Sequence, residues 1–240
     1  MYSGKVCKKV KYGFLKAAAI TPEVKVADVE YNSQQICSYM KAAAEEKVKI
    51  AVFPELCLTG YSCQDLFFQD RLLEKTREAL VSVAEYSREL DCLFFIGLPL
   101  ALDGKLYNMA AAVCDGKILG LIPKIYLPNY NEFYEARHFC SGRNLETETE
   151  IGGQTVPVGS RLLFCCREME QLRAASELCE DLWVPAPPSI GHAMAGAMII
   201  ANLSASNEIA GKSSYRRELV KGQSARLVCG YIYSSAGSTE

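Results

Sequence analysis

Cys179 stands in Leu178-Cys179-Glu180-Asp181-Leu182-Trp183, directly after a segment that reads as a short strand, and acidic residues crowd it on both sides (Glu177, Glu180, Asp181). A buried structural cysteine rarely has such neighbours. Two other segments supply what a reactive thiol needs. Phe53-Pro54-Glu55-Leu56 places a carboxylate just after an apolar strand, and Leu121-Ile122-Pro123-Lys124 places an amine after another. A thiol attacks an amide as thiolate, and free cysteine is mostly thiol at neutral pH, so a base must take its proton. A carboxylate at the C-terminal edge of a sheet is in position to do so. A charged lysine beside it offsets the charge that develops on the amide oxygen. Glu55, Lys124 and Cys179 are therefore the parts of a thiol amidase. The competing base is one of only two histidines, His138 or His192, which would make a Cys-His dyad. Taken singly, each of these residues has a plainer reading: Glu55 a solvated strand-end acid, Lys124 a surface lysine, Cys179 apolar filler.

These residues need a sheet to carry them. Phe14 to Ile20 reads as a strand, and Asn32 as the cap of a helix running to about Glu46, with Ile36, Tyr39, Met40 and Ala43 on one face. Lys49 to Phe53 reads as a strand stopped by Pro54. Arg71 to Leu90 reads as a long helix, and Asp91 to Leu98 as a buried strand ended by Pro99. Leu106–Cys114 and Lys117–Ile122 flank Asp115-Gly116, a hairpin signal. Residues 124–160 read as irregular, with Glu146, Glu148 and Glu150 on a solvated loop. Strands are expected again at Arg161–Cys165, Ala174–Leu178 and Ala195–Leu203. A helix over Ser213–Arg226 and a strand over Val228–Ser234 close the pattern. Alternating strands and helices plus a hairpin predict a layered α/β protein with a mixed sheet, and the continuously apolar strands require cover on both faces. The end at Glu240, just after a strand, reads as that of a fragment.

The 240 residues, 50% hydrophobic and 22% charged, suit one large domain or two small ones, and a net charge of -2 with no basic tail argues against nucleic-acid or membrane-surface partners. No apolar run approaches the length of a membrane span, and the lysine-rich start lacks a cleavage pattern, so a cytoplasmic protein is expected. The cysteines number eleven, odd in a long chain, and the ten other than Cys179 read as reduced thiols used as filler. Without a Cys-x-x-Cys pair and with two histidines, no metal site is expected.

Three segments together resemble the signatures of the nitrilase (carbon-nitrogen hydrolase) superfamily: Phe53-Pro54-Glu55-Leu56-Cys57-Leu58-Thr59-Gly60-Tyr61, Pro123-Lys124-Ile125-Tyr126-Leu127-Pro128-Asn129-Tyr130-Asn131-Glu132-Phe133-Tyr134-Glu135, and Cys179-Glu180-Asp181-Leu182-Trp183. With Asn202-Leu203-Ser204-Ala205-Ser206-Asn207-Glu208, the narrowest resemblance is to the glutaminase domains of glutamine-dependent NAD synthetases, from about Tyr12 onward. The resemblance implies a four-layer α-β-β-α sandwich over residues 12–240, preceded by an extension over 1–11. It implies Glu55 as general base and acid, Lys124 as the stabilising cation, Cys179 as nucleophile, and Glu132 as a second glutamate orienting the lysine and substrate. Tyr130, Ser206 and Lys212 would hold glutamine, with Tyr61 and Glu180 at its α-amino end. It further implies a homo-oligomer, no cofactor for the glutaminase step, and ATP and magnesium used by a synthetase domain in cis. No Gly-x-x-x-x-Gly-Lys-Ser/Thr segment is present in this chain. The remaining alternatives are an amidase for another amide and a non-catalytic assembly module.

Overall fold

Strand patterning explains the architecture seen in the computed structural model, which describes residues 13–237. The expected extension over residues 1–11 lies outside the described residues. In β3 (Leu93–Leu102), Phe94, Ile96 and Leu98 face one side and Leu93 and Phe95 the other, and all five are buried. A strand apolar on both faces must lie between two layers.

One sheet has seven strands: β1 (Ala17–Ala19), β2 (Ile50–Val52), β3, β4 (Lys105–Cys114), β5 (Lys117–Pro123), β6 (Glu146–Ile151) and β7 (Gln154–Gly159), in the order β1-β2-β3-β4-β5-β7-β6. The first three are parallel, β3-β4-β5 is an antiparallel meander, β7 returns parallel to β5, and β6 lies antiparallel at the edge. The second sheet has the order β11-β10-β9-β8, from β8 (Phe164–Cys165), β9 (Arg173–Leu178), β10 (Ile199–Ser204) and β11 (Gly230–Ser235). Its β9, β10 and β11 are parallel.

Helices α1 (Val29–Glu45) and α2 (Asp70–Tyr86) bury Ile36, Met40, Leu80 and Val83 against the outer face of the large sheet. Ile50, Val52, Phe95 and Ala112 meet Ala174, Leu178, Ala201 and Leu203 between the sheets. Ala175, Ile200 and Cys229 face the outer layer of α3 (Pro188–Met194) and α4 (Lys212–Leu227), with Ala193 and Leu227 packed on them. The result is the expected α-β-β-α sandwich. Among the described residues no helix is long and apolar enough to cross a membrane.

Several local expectations are corrected. Asn32 is not a cap: α1 begins at Val29 and Asp28 caps it, accepting from the Tyr31 N–H at 3.1 Å. Asn32 is instead buried in the first turn, its amide engaging Lys25 N and O and the Leu58 carbonyl. Pro99 does not end β3. Pairing to β2 stops at Phe95, so from there on β3 has a neighbouring strand on one side only and the missing N–H of proline is tolerated. Residues 124–160 are not wholly irregular, since β6 and β7 form a hairpin whose turn residues Gly152 and Gly153 have φ of 55° and 71°. The acidic run lies on edge strand β6, where charge discourages pairing with other chains.

Candidate active site

The three chemical residues sit where strands end on the same rim. Glu55 follows β2, Lys124 follows β5, and Cys179 follows β9. Each turn is built for close approach. The backbone of Leu56 has φ 51° and that of Cys179 has φ 41°, left-handed values that non-glycine residues seldom adopt. Gly97 on β3 lets the Glu55 turn lie directly on the sheet: a Cβ there would sit 2.4 Å from both Leu56 N and Pro54 O. Gly142 does the same over Pro123, and its N–H donates to the Lys124 carbonyl at 2.9 Å.

Glu55 and Lys124 are both 0% exposed. Lys124 Nζ donates to Glu55 Oε1 and to Glu135 Oε1, each at 2.6 Å. Asn108 Nδ2 donates to Glu55 Oε1 at 2.8 Å, and the Ala205 N–H donates to Oε2 at 2.9 Å. The Glu55 carboxylate is thereby fixed by three groups, from the loop after β5, from β4 and from the end of β10. Cys179 is 5% exposed. Burial pushes its thiol up, the Glu55 charge adds to that, and Lys124 opposes it. The resting group is a thiol, and it needs a base at the moment of attack. Burial by itself would drive Lys124 toward the neutral amine, but the charges of Glu135 and Glu55 outweigh it and hold the proton well above the usual lysine range. Glu135 is pushed up to about 7 by burial, against the pull of Lys124.

Asp181 connects the turns. Its Oδ2 accepts from the Leu178 N–H at 3.0 Å, and its Oδ1 accepts from the N–H groups of Tyr126 at 2.8 Å and Ile125 at 3.2 Å. Burial raises its carboxyl to about 8, against the pull of the Tyr126 and Leu178 N–H groups.

A cleft of about 210 Å³ opens over Cys179, lined by Tyr130, Glu180, Trp183, Ser206 and Lys212 among others. Tyr130 Oη donates to Glu180 Oε2 at 2.9 Å. Lys212, the first residue of α4, holds Nζ 5.2 Å from the centre of the Trp183 ring and bonds Asn207 Oδ1. Four of the expected substrate contacts thus share the cleft with the thiol. Tyr61 does not: it lines a neighbouring cleft of about 340 Å³, and its hydroxyl donates to Glu135 at 2.7 Å.

The carboxylate against Lys124 is Glu135, and not Glu132. The sequence offers two glutamates three apart in one loop. The fold turns Glu135 inward by bonding its N–H to the Pro128 carbonyl at 3.2 Å and starting a short 3-10 turn there (Glu135–Arg137). Glu132 stays exposed and accepts from Asn207 Nδ2. Sequence reasoning also passed over Asn108, Ala205 and Asn207. Asn108 and Ala205 act through pairings that only the tertiary structure creates, and no local signal marks them. Neither histidine is among the groups acting on the Cys179 thiol. His138 Nε2 lies 3.1 Å from Asp65 Oδ1, while His192 is buried on α3, where burial lowers it to about 4. The groups whose charges act on the thiol are Glu55, Lys124 and Glu135. Among the described residues no three His, Cys, Asp or Glu side chains cluster as a metal site.

Comparisons with known proteins place the sequence and the fold. The family model described as "Carbon-nitrogen hydrolase" matches residues 16–231. A "Glutamine-dependent NAD(+) synthetase" of Mycobacterium tuberculosis is 37% identical over 230 residues, 96% of this chain and 34% of that protein. Its counterpart in Thermotoga maritima is 33% identical over 194 residues, 80% of this chain and 30% of that protein. The chain thus spans about a third of the length of these curated relatives. The crystal structure of a glutamine-dependent NAD(+) synthetase from Cytophaga hutchinsonii superposes with a TM-score of 0.80 at 32% identity, covering 92% of this chain and 35% of that one. An amidase of Nesterenkonia from the nitrilase superfamily shares the fold with a TM-score of 0.71 at 17% identity, covering 92% of this chain and 76% of that one. On the match over residues 16–231, this chain belongs to the carbon-nitrogen hydrolase family.

Proposed function

We propose that this chain hydrolyses L-glutamine to glutamate and ammonia through Cys179, Glu55 and Lys124. The observation that carries the reading is Lys124 Nζ, wholly buried between the carboxylates of Glu55 and Glu135 and acting on the thiol of Cys179. Glu55 takes the thiol proton as sulfur bonds to the carboxamide carbon. Lys124 and the Glu180 N–H stabilise the oxyanion. The C–N bond breaks as Glu55 returns the proton to the leaving nitrogen, releasing ammonia and leaving a thioester. Glu55 then deprotonates a water that attacks the thioester. Glutamate leaves, and the proton returns to sulfur.

The substrate assignment draws on the cleft and on the names of the relatives. Glu180 and Lys212 bring opposite charges to the lining of one cleft, which suits an amino acid's ammonium and carboxylate. Tyr130 and Ser206 line the same cleft. The ammonia would serve an ATP- and magnesium-dependent synthetase domain in cis that amidates deamido-NAD, in a cytoplasmic homo-oligomer. The test is glutamate release from glutamine and from short aliphatic amides, for the wild type and for Cys179→Ala. Loss of turnover with an unchanged melting profile is expected for Cys179→Ala, with glutamine preferred by the wild type. Substantial activity in Cys179→Ala would remove the mechanism, and preference for aliphatic amides would remove the substrate.

A further inference from the structure

We propose that Asp181 is a positioning residue that fixes the nucleophile and the cationic loop relative to each other, a role that rests on the reaction proposed above. Two loops must be held in register for attack at a carbonyl beside Lys124. One follows β5 and carries Lys124, Ile125 and Tyr126. The other is the end of β9 with the turn that follows, and carries Leu178 and Cys179. They come from different sheets, 55 residues apart between Tyr126 and Asp181. Their backbones are joined through one buried carboxyl group, 1% exposed, whose two oxygens divide the work. Oδ2 holds the residue before the nucleophile, and Oδ1 takes the shorter bonds of the two residues after the lysine, Ile125 N also lying 3.5 Å from Oδ2.

The chemistry of the group explains why an aspartate is required. All three partners are N–H donors, and a carboxyl group keeps an acceptor lone pair on each oxygen, whether it is ionised or carries one proton pointed away from them. An asparagine has the same shape but one acceptor and one donor. Whichever way its amide is turned, an NH₂ faces a backbone N–H. It can hold the Lys124 loop or the Cys179 turn, and never both. The orphaned N–H is buried at Leu178 and half-buried at Ile125 and Tyr126, so the turn on that side must open to water. Cys179 has a left-handed backbone conformation that its surroundings must impose. Releasing the turn therefore relaxes the nucleophile away from Lys124, and an error of about 1 Å near the chemistry costs about 100-fold.

Glu177 provides the control. It too is a buried carboxyl near the nucleophile, 1% exposed, but it accepts from the Ser189 N–H at 2.7 Å and from Tyr231 on the opposite side of the sheet. It touches neither loop. Asp181→Asn and Glu177→Gln are compared at pH 8.5, above the Asp181 carboxyl's value of about 8. Three quantities are read: glutamine kcat and KM per folded molecule, the rate of Cys179 alkylation by iodoacetamide, and the melting temperature. Asp181→Asn is expected to lower kcat about 10- to 100-fold with KM little changed, and to raise alkylation at least about threefold as the buried sulfur is released. Glu177→Gln is expected to lower the melting temperature and leave both rates within about twofold. Equal kcat losses in the two variants, or unchanged kcat and alkylation in Asp181→Asn, would overturn the proposal. If Asp181→Asn does not fold, amide hydrogen exchange in the wild type decides. Leu178 and Tyr126 amides opening together supports the staple, and Tyr126 exchanging far faster than Leu178 refutes it. If the wild type does not turn over glutamine, the proposed function fails, while alkylation and exchange still report on Asp181.

Discussion

Replacing Gly97 with alanine adds one methyl group on a central strand and should disable a base that it never touches. The new Cβ would lie 2.4 Å from Leu56 N and from Pro54 O, and 2.8 Å from the Glu55 carbonyl carbon. All three are backbone atoms, so no side chain can swing aside. Ordinary contact begins near 3.4 Å, so the Glu55 turn must retreat by about 1 Å, and a displacement of that size near the reacting atoms costs about 100-fold in rate. The turn is also tied down elsewhere, because Glu55 N donates to the Ser204 carbonyl at 3.3 Å and Leu58 N to the Gly97 carbonyl at 3.2 Å. It will strain before it moves. Overpacking of this kind costs about 1–3 kcal/mol, offset by about 0.5–1 kcal/mol from the lower entropy of alanine in the unfolded chain. The variant should stay folded, melt a few degrees lower, and lose about 100-fold in kcat with KM nearly unchanged. Steady-state glutamate release and a thermal melt measure all three. A Gly97→Ala enzyme within about threefold of wild-type kcat would refute the idea that strand β3 sets the height of the base.

Glu135→Gln should lower kcat by at least about tenfold, because Lys124 loses one of its two carboxylates, whereas Glu132→Gln should leave kcat within about threefold; the opposite order would restore Glu132 as the orienting glutamate. Lys124→Arg should be nearly as damaging as Lys124→Ala, each losing on the order of 10²–10³ in turnover, because a planar guanidinium does not fit a buried slot with a carboxylate at 2.6 Å on two sides; a Lys124→Arg enzyme retaining most of its activity would show that charge alone suffices. Stability should fall as pH rises from 6.5 to 8.5. Glu135 and Asp181 are raised by burial to about 7 and about 8, so in this window the native state holds protons that the unfolded state has lost, and each such proton lowers the unfolding free energy by about 1.4 kcal/mol per pH unit. Buried His192, lowered to about 4, acts with the opposite sign and only below its unfolded value near 6.5. Urea midpoints that stay level or rise between pH 6.5 and 8.5 would contradict this assignment.

The sequence by itself determined the layered α/β architecture, because strands apolar on both faces admit no other cover, and Phe94 to Leu98 is such a strand. It also placed the candidate residues: Glu55, Lys124 and Cys179 each follow an apolar run, and strand ends are local events. Turn chemistry was legible at Asp115-Gly116 for the same reason. The β6-β7 hairpin was not, because its alternating Glu and Thr residues mimic a solvated loop and only pairing with β5 through β7 makes it sheet. Tertiary structure alone chose Glu135 over Glu132, since the two differ in which way a loop turns and not in type. It alone recruited Asn108 and Ala205 to the Glu55 carboxylate, from β4 and from the end of β10. It alone gave Asp181 its three donors, which come from loops on separate sheets. A residue's type and its neighbours in sequence set what it can do; which atoms lie 3 Å away across two sheets is fixed by long-range packing, and no local pattern records that.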